Sequence, residues 1–110
     1  MNIALIGYGK MGQAIEKIAI ERGHQVVLKI DIDTAHLFNR EALTGVDVAI
    51  EFTSPHSAFS NVMKLLEFEV PTICGSTGWL DKFEAVEEYC LQQSGSFLYA
   101  SNFSVGVNIF

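Results

Sequence analysis

The chain is short of positive charge, cysteine and long apolar runs, and each shortage removes a class of function. Seven Lys and Arg stand against 13 Asp and Glu, a formal charge of −6. That is the reverse of the basic surface a phosphate backbone requires, so nucleic acid is not an expected partner. No apolar stretch approaches the roughly 18 residues of a membrane span, so no membrane partner is expected either. Met1 to Ile6 carries no basic region ahead of an apolar one; the expectation is a chain without a signal peptide, resident in the cytoplasm. Cys74 and Cys90 are the only cysteines and lack metal-ligand spacing, so they read as reduced packing residues. His24, His36 and His56 are scattered, and no metal site is expected. What remains is 110 residues, 49% of them hydrophobic, enough for one domain around one core.

Glycine, by contrast, is concentrated. "ALIGYGKMGQAI" (Ala4 to Ile15) sets Gly7, Gly9 and Gly12 between two apolar runs. A glycine inside a regular element costs about 0.5–1 kcal/mol relative to alanine, so three together imply a task that side chains would block. Asn2 to Ile6 reads as a strand, and Met11 to Arg22 as a helix with Met11, Ile15, Ile18 and Ala19 on one face before Gly23. "QVVLKID" (Gln25 to Asp31) is β-branched and mostly apolar, which suggests a buried parallel strand and completes one βαβ unit.

Further along, Ile32 to Gly45 is polar and weakly patterned, with at most a helical turn around Arg40 to Leu43. A third strand is expected at "VDVAIEF" (Val46 to Phe52), a helix at Ser57 to Glu69, and a fourth strand at "VPTICG". A second amphipathic helix at Trp79 to Ser94 and a fifth strand at "SFLYA" follow. Strands alternating with helices predict an α/β fold, a doubly wound parallel sheet of five strands in the order 3-2-1-4-5. The apolar "SVGVNIF" (Ser104 to Phe110) resembles the start of another element, so the chain reads as one domain of a longer protein.

In such a sheet ligands bind beyond the carboxyl ends of the strands where strand order reverses, which this order places between the first and fourth strands. There Gly7 allows the turn out of the strand, Gly9 lets backbone N–H groups approach a pyrophosphate, and Gly12 lets the helix pack closely. The helix N-terminus adds unpaired N–H groups and about half a positive charge. Asp31 stands 19 residues after Gly12, where a carboxylate accepts the ribose hydroxyls of NAD and repels a 2′-phosphate. No arginine follows it; Lys10 is the nearby cation, either a phosphate contact or a solvated lysine. NADH is expected to be preferred, or NADH and NADPH both accepted. A glycine turn capping the next helix is the plain alternative for "GSTG", as is an N-cap for Asn102. Thr53 and Ser54 are equally explained as the cap of a helix beginning at Pro55.

Four stretches together go further. "GYGKMG", "EFTSP" (Glu51 to Pro55), "CGSTGW" (Cys74 to Trp79) and "YASNFSVGVN" (Tyr99 to Asn108) resemble dihydrodipicolinate reductase, over essentially the whole chain. The resemblance implies the NAD(P)-binding, Rossmann-like domain of an oxidoreductase of lysine (diaminopimelate) biosynthesis. It places Gly7, Tyr8, Gly9, Lys10, Met11 and Gly12 at the pyrophosphate, and Asp31 at the ribose, with Thr53 as a further contact. Gly75, Ser76 and Thr77 would lie beside the nicotinamide, which Ala100, Ser101, Asn102 and Phe103 would line. The chain departs from the family in having Glu51 where Asp is frequent and Ser76 for threonine. It also has no paired histidines, so the family's His-His-x-x-Lys segment and substrate domain are missing. The resemblance thus implies cofactor binding without turnover by these residues, and no catalytic residue among them. It implies a small-molecule substrate met only with the missing domain, and a homo-oligomeric full-length protein. The alternatives are the cofactor domain of another NAD(P)-dependent dehydrogenase and a non-catalytic NAD(H)-sensing module.

Overall fold

A computed structural model of the chain describes residues 1–76, 79–93 and 95–99. Its elements run β1 (Asn2–Ile6), α1 (Lys10–Glu21), β2 (Gln25–Ile30), a 3-10 helix (Ile32–Leu37), β3 (Val48–Glu51), α2 (Pro55–Glu67) and β4 (Thr72–Cys74). A 3-10 turn (Leu80–Lys82), α3 (Phe83–Gln92) and β5 (Phe97–Tyr99) complete the series. All four strand pairings are parallel. The five-stranded parallel sheet with flanking helices is Rossmann-like, as the alternation of elements predicts.

The strand order differs from the expected one. It is β2-β1-β3-β4-β5, so the third strand lies between the first and the fourth, and the reversal falls between β1 and β3. Two features of the sequence account for this. In β2, Gln25, Val27 and Lys29 are exposed, so the strand expected to be buried is an edge strand whose polar alternation suits an uncovered rim. The segment after it holds no helix long enough to cover a further strand on that side. Instead Phe38 and Leu43 fold inward onto Ala4, Ile6, Ile30 and Ala49, and the chain crosses β1 before entering β3. Ala4 and Ala49 are paired neighbours with no exposed surface.

Three apolar clusters hold the layers. One face of the sheet packs Ile3, Leu5 and Ile50 against Ala19 of α1. On the other, Leu65 of α2 joins the Phe38 cluster, while Ala58, Val62 and Leu66 of the same helix join Cys74, Trp79 and Val86. α2 therefore belongs to two clusters at once. Trp79, 2% exposed, is the largest fully buried side chain and meets Phe83, Phe97 and Tyr99 at ring separations of 5.9 to 6.2 Å.

Candidate cofactor-binding site

The carboxyl ends of β1, β2 and β3 open into one cleft of about 430 Å³. Ile6 and Gly7 line it from β1, Ile30 and Asp31 from β2, and Phe52 and Thr53 from β3. Ala35 and Phe38 close one side, and Ser54, Ser57 and Asn61 of the α2 N-terminal region another. The cleft lies at the β1/β3 reversal, the position physics favours for a ligand in an open parallel sheet.

Two of the three loop glycines are dictated by contact. Gly7 has φ +104°, and a Cβ there would lie 1.8 Å from the Phe52 carbonyl oxygen. No side chain fits between these strand ends, which are joined by the Phe52 N–H donating to the Ile6 carbonyl at 2.7 Å. A Cβ on Gly12 would lie 2.6 Å from the Gly7 carbonyl oxygen, so this glycine packs the helix on the loop itself rather than on the strand. Gly9 is different. It is exposed, and a Cβ would meet nothing within 4 Å, which leaves its backbone open to an incoming group. α1 begins here with no side-chain cap and no acidic residue in its first turn, so its first N–H groups have no intrahelical partner. Lys10 is exposed beside them and Met11 is half-buried.

Tyr8 does not line the cleft. Its hydroxyl donates to Glu16 of α1, Glu16 pairs with Lys29 at 3.2 Å, and the Lys29 ammonium sits 5.0 Å from the Tyr8 ring centre. The hydrogen bond from Tyr8 lowers the Glu16 pKa, Glu16 raises that of Lys29, and the bond to Glu16 raises that of Tyr8. Asp31 is exposed at the end of β2, with its N–H donating to the Thr34 hydroxyl at 2.8 Å.

Beneath the cleft lies a residue that sequence reading did not single out as functional. Glu51 ends β3 with no exposed surface. One carboxylate oxygen accepts from the Ser76 hydroxyl at 2.7 Å and the Cys74 thiol at 3.2 Å. The other accepts from the Thr53 hydroxyl and from the Asn61 amide at 3.2 Å. The Ser76 hydroxyl also accepts from the Thr53 N–H at 2.8 Å, and the Trp79 indole donates to the Ser76 carbonyl at 2.8 Å. Burial first, then the Glu51 charge, push the Cys74 thiol up to about 12. Ser76 is thus 4% exposed with its hydroxyl directed inward. Gly75 donates its N–H to the Glu51 carbonyl at 2.9 Å. The signal for Glu51 was its position, a carboxylate in the otherwise apolar run "VAIEF". Ser57 and Asn61, also unremarked, stand three and seven residues after Ser54 on one helical stripe. Ser54 occupies the N-cap position expected of it, but its side chain makes no capping bond. Thr77, Ala100, Ser101, Asn102 and Phe103 lie outside the described residues.

Comparison with known proteins decides the family. Residues 1–103 match the model of "Dihydrodipicolinate reductase, N-terminus". The chain belongs to this family. It is 46% identical over 111 residues to the 4-hydroxy-tetrahydrodipicolinate reductase of Christiangramia forsetii, covering 100% of this chain and 45% of that protein. The enzyme of the same name from Staphylococcus carnosus is 33% identical, over 99% of this chain and 46% of the relative. The chain therefore spans less than half the length of these dihydrodipicolinate reductase relatives. Among solved structures, a dipicolinate-bound dihydrodipicolinate reductase from Paenisporosarcina sp. TG-14 superposes with TM-score 0.73 at 19% identity, over 99% of this chain and 50% of that one. A homoserine dehydrogenase from Thermoplasma acidophilum gives 0.62 at 17% identity, over 90% and 42%. At these identities the superpositions establish the fold of the family's N-terminal part.

Proposed function

We propose that residues 1–110 form the dinucleotide-binding domain of a reductase that converts 4-hydroxy-tetrahydrodipicolinate to tetrahydrodipicolinate in lysine biosynthesis. The observation that carries this reading is convergence: Gly7, Asp31 and Thr53 border one cleft at the strand-order reversal, and the open Gly9 backbone follows Gly7 by two residues at the start of α1. The residues fit a dinucleotide. Gly9 and the uncapped start of α1, with Lys10 beside it, suit the pyrophosphate. Asp31 suits the adenine ribose, and Ala35, Phe38 and Phe52 offer the apolar wall that an adenine ring needs. NAD(P)H supplies the hydride when bound. The chain's own residues bind and orient it. Thr53 borders the cleft, and Gly75 and Ser76 follow the end of β4. Ala100, Ser101, Asn102 and Phe103 complete the nicotinamide side by family resemblance.

The substrate contacts and the proton donor belong, on this reading, to the remainder of the family's length. These 110 residues bind cofactor without turnover, and the whole protein is a cytoplasmic homo-oligomer acting on a small molecule. Among the described residues no helix is long and apolar enough to cross a membrane.

The preference between cofactors follows from Asp31. A charge-assisted hydrogen bond contributes about 1.5–3 kcal/mol, so calorimetric titration should show NADH binding more tightly than NADPH. The NADPH affinity should fall more steeply with added salt than the NADH affinity, because the 2′-phosphate adds charge to that which Lys10 already meets. Asp31→Asn should weaken NADH about tenfold and leave NADPH less affected. Equal affinities, unmoved by this substitution, would place the ribose elsewhere.

A further inference from the structure

Glu51 is a fully buried carboxylate to which the cofactor reading assigns no role. A buried charge is tolerated only when hydrogen bonds or an opposite charge replace its lost water. Among the described residues no Lys, Arg or His forms an ion pair with it. Its compensation is four side-chain donors: Thr53 and Asn61 on one oxygen, Ser76 and Cys74 on the other. An ionised carboxylate offers about four acceptor sites and no donor, so the set is matched in number and kind. The donors come from three places: the loop after β3, helix α2, and the end of β4 with the loop beyond it. Two of them, Thr53 and Asn61, also border the cleft.

We infer that Glu51 is the positioning residue of the cofactor cleft. Its carboxylate sets the spacing between the loop after β3, which carries Thr53, and the loop after β4, which carries Gly75 and Ser76. The inference rests on the cofactor reading for its functional consequence, but not for the geometry. A neutral acceptor of the same shape does not serve. In a glutamine the amide NH2 faces either Thr53 and Asn61, where it opposes the Asn61 NH2 donor against donor, or Ser76 and Cys74, where thiol and hydroxyl both lose the carboxylate acceptor and the hydroxyl keeps only the Thr53 carbonyl at 2.9 Å. The Thr53 N–H, held by the Ser76 hydroxyl at 2.8 Å, reports directly on whether the two loops remain joined. An aspartate keeps the charge and all the acceptor sites on a side chain one methylene shorter.

The test uses the whole 110-residue chain and two readouts. In Glu51→Gln, hydrogen exchange at the Thr53 amide should accelerate at least fivefold relative to the Leu65 amide, and the NADH dissociation constant should rise at least fivefold. Glu51→Asp should return both to less than fivefold from the parent chain. A change below fivefold in the exchange of folded Glu51→Gln overturns the inference, as does a Glu51→Asp variant as loose as Glu51→Gln. Should Glu51→Gln not fold, Asn61→Ala takes its place, because it removes one donor to Glu51 and leaves the Thr53 N–H with its Ser76 acceptor. Accelerated Thr53 exchange again supports the inference and unchanged exchange overturns it. Should the parent chain bind neither NADH nor NADPH, the cofactor reading fails, and the exchange measurement alone decides whether Glu51 positions the loops.

Discussion

Single glycines separate the demands of the fold from those of the ligand. Gly7→Ala would place a Cβ 1.8 Å from a backbone oxygen at φ +104°, and backbone strain of that kind alone costs on the order of 1–3 kcal/mol. The variant is expected to lose at least about 3 kcal/mol by urea denaturation, because the steric clash with the β3 backbone adds to the strain. Gly9→Ala meets no neighbour and has φ −83°, so its stability should stay within about 1 kcal/mol of the parent, while its NADH affinity falls as the methyl group fills the open approach. Gly9→Ala with unchanged affinity would show that no phosphate comes near. The tight turn at Gly7 was legible in the spacing of the glycines, although the partner of Gly12 was not, since only the folded loop reveals that it faces the Gly7 carbonyl.

Cys74 gives a prediction in pH. Its thiol titrates at about 12 in the folded chain against an ordinary 9.0, so folding favours the neutral form. The stability this contributes is whole below pH 9 and is lost as pH rises from 9 through about 12. Urea midpoints of the parent should therefore fall across that window more steeply than those of Cys74→Ala. At neutral pH, where the thiolate is the reactive species, iodoacetamide should label half-buried Cys90 before Cys74. Labelling of Cys74 first, in folded protein, would contradict its enclosure.

At the scale of elements, α2 carries the heaviest packing duty, because its buried residues enter two clusters. Leu65→Ala removes a fully buried side chain and should cost about 2–5 kcal/mol, read as a lower urea midpoint with an unchanged slope. Helical spacing exposed this face in the sequence at Ala58, Val62, Leu65 and Leu66. The same spacing placed Ser54, Ser57 and Asn61 together, but polar residues on a helix are ordinarily solvated, and nothing local distinguishes a cleft from water. The 3-10 helix at Ile32–Leu37 was illegible for a related reason. It is held by short-range bonds such as Thr34 N–H to the Asp31 carbonyl at 3.1 Å, and its sequence has no apolar period.

Across the whole molecule, the alternation of strands and helices was enough for the fold class but not for strand order. β2 satisfies a composition rule for buried strands, yet Gln25 and Lys29 on its exposed side fit a sheet edge. Order was settled by where Phe38 and Leu43 found a core, a long-range outcome that no window of sequence contains. The error moved the reversal from between the first and fourth strands to between β1 and β3, and the glycine loop faces it in either case. Glu51 is the converse lesson. A carboxylate inside an apolar strand was visible, and its meaning depended on four donors brought from as far as Ser76.

On the function proposed above, the cleft beside Gly7, Asp31 and Thr53 holds the dinucleotide. The most direct test of this assignment is to follow backbone amide shifts of the 15N-labelled chain as NADH is added. Saturable shifts are predicted at Gly9, Lys10, Asp31 and Thr53, with Glu87 and Leu91 of α3 unmoved. No shift, or shifts centred on α3, would contradict it.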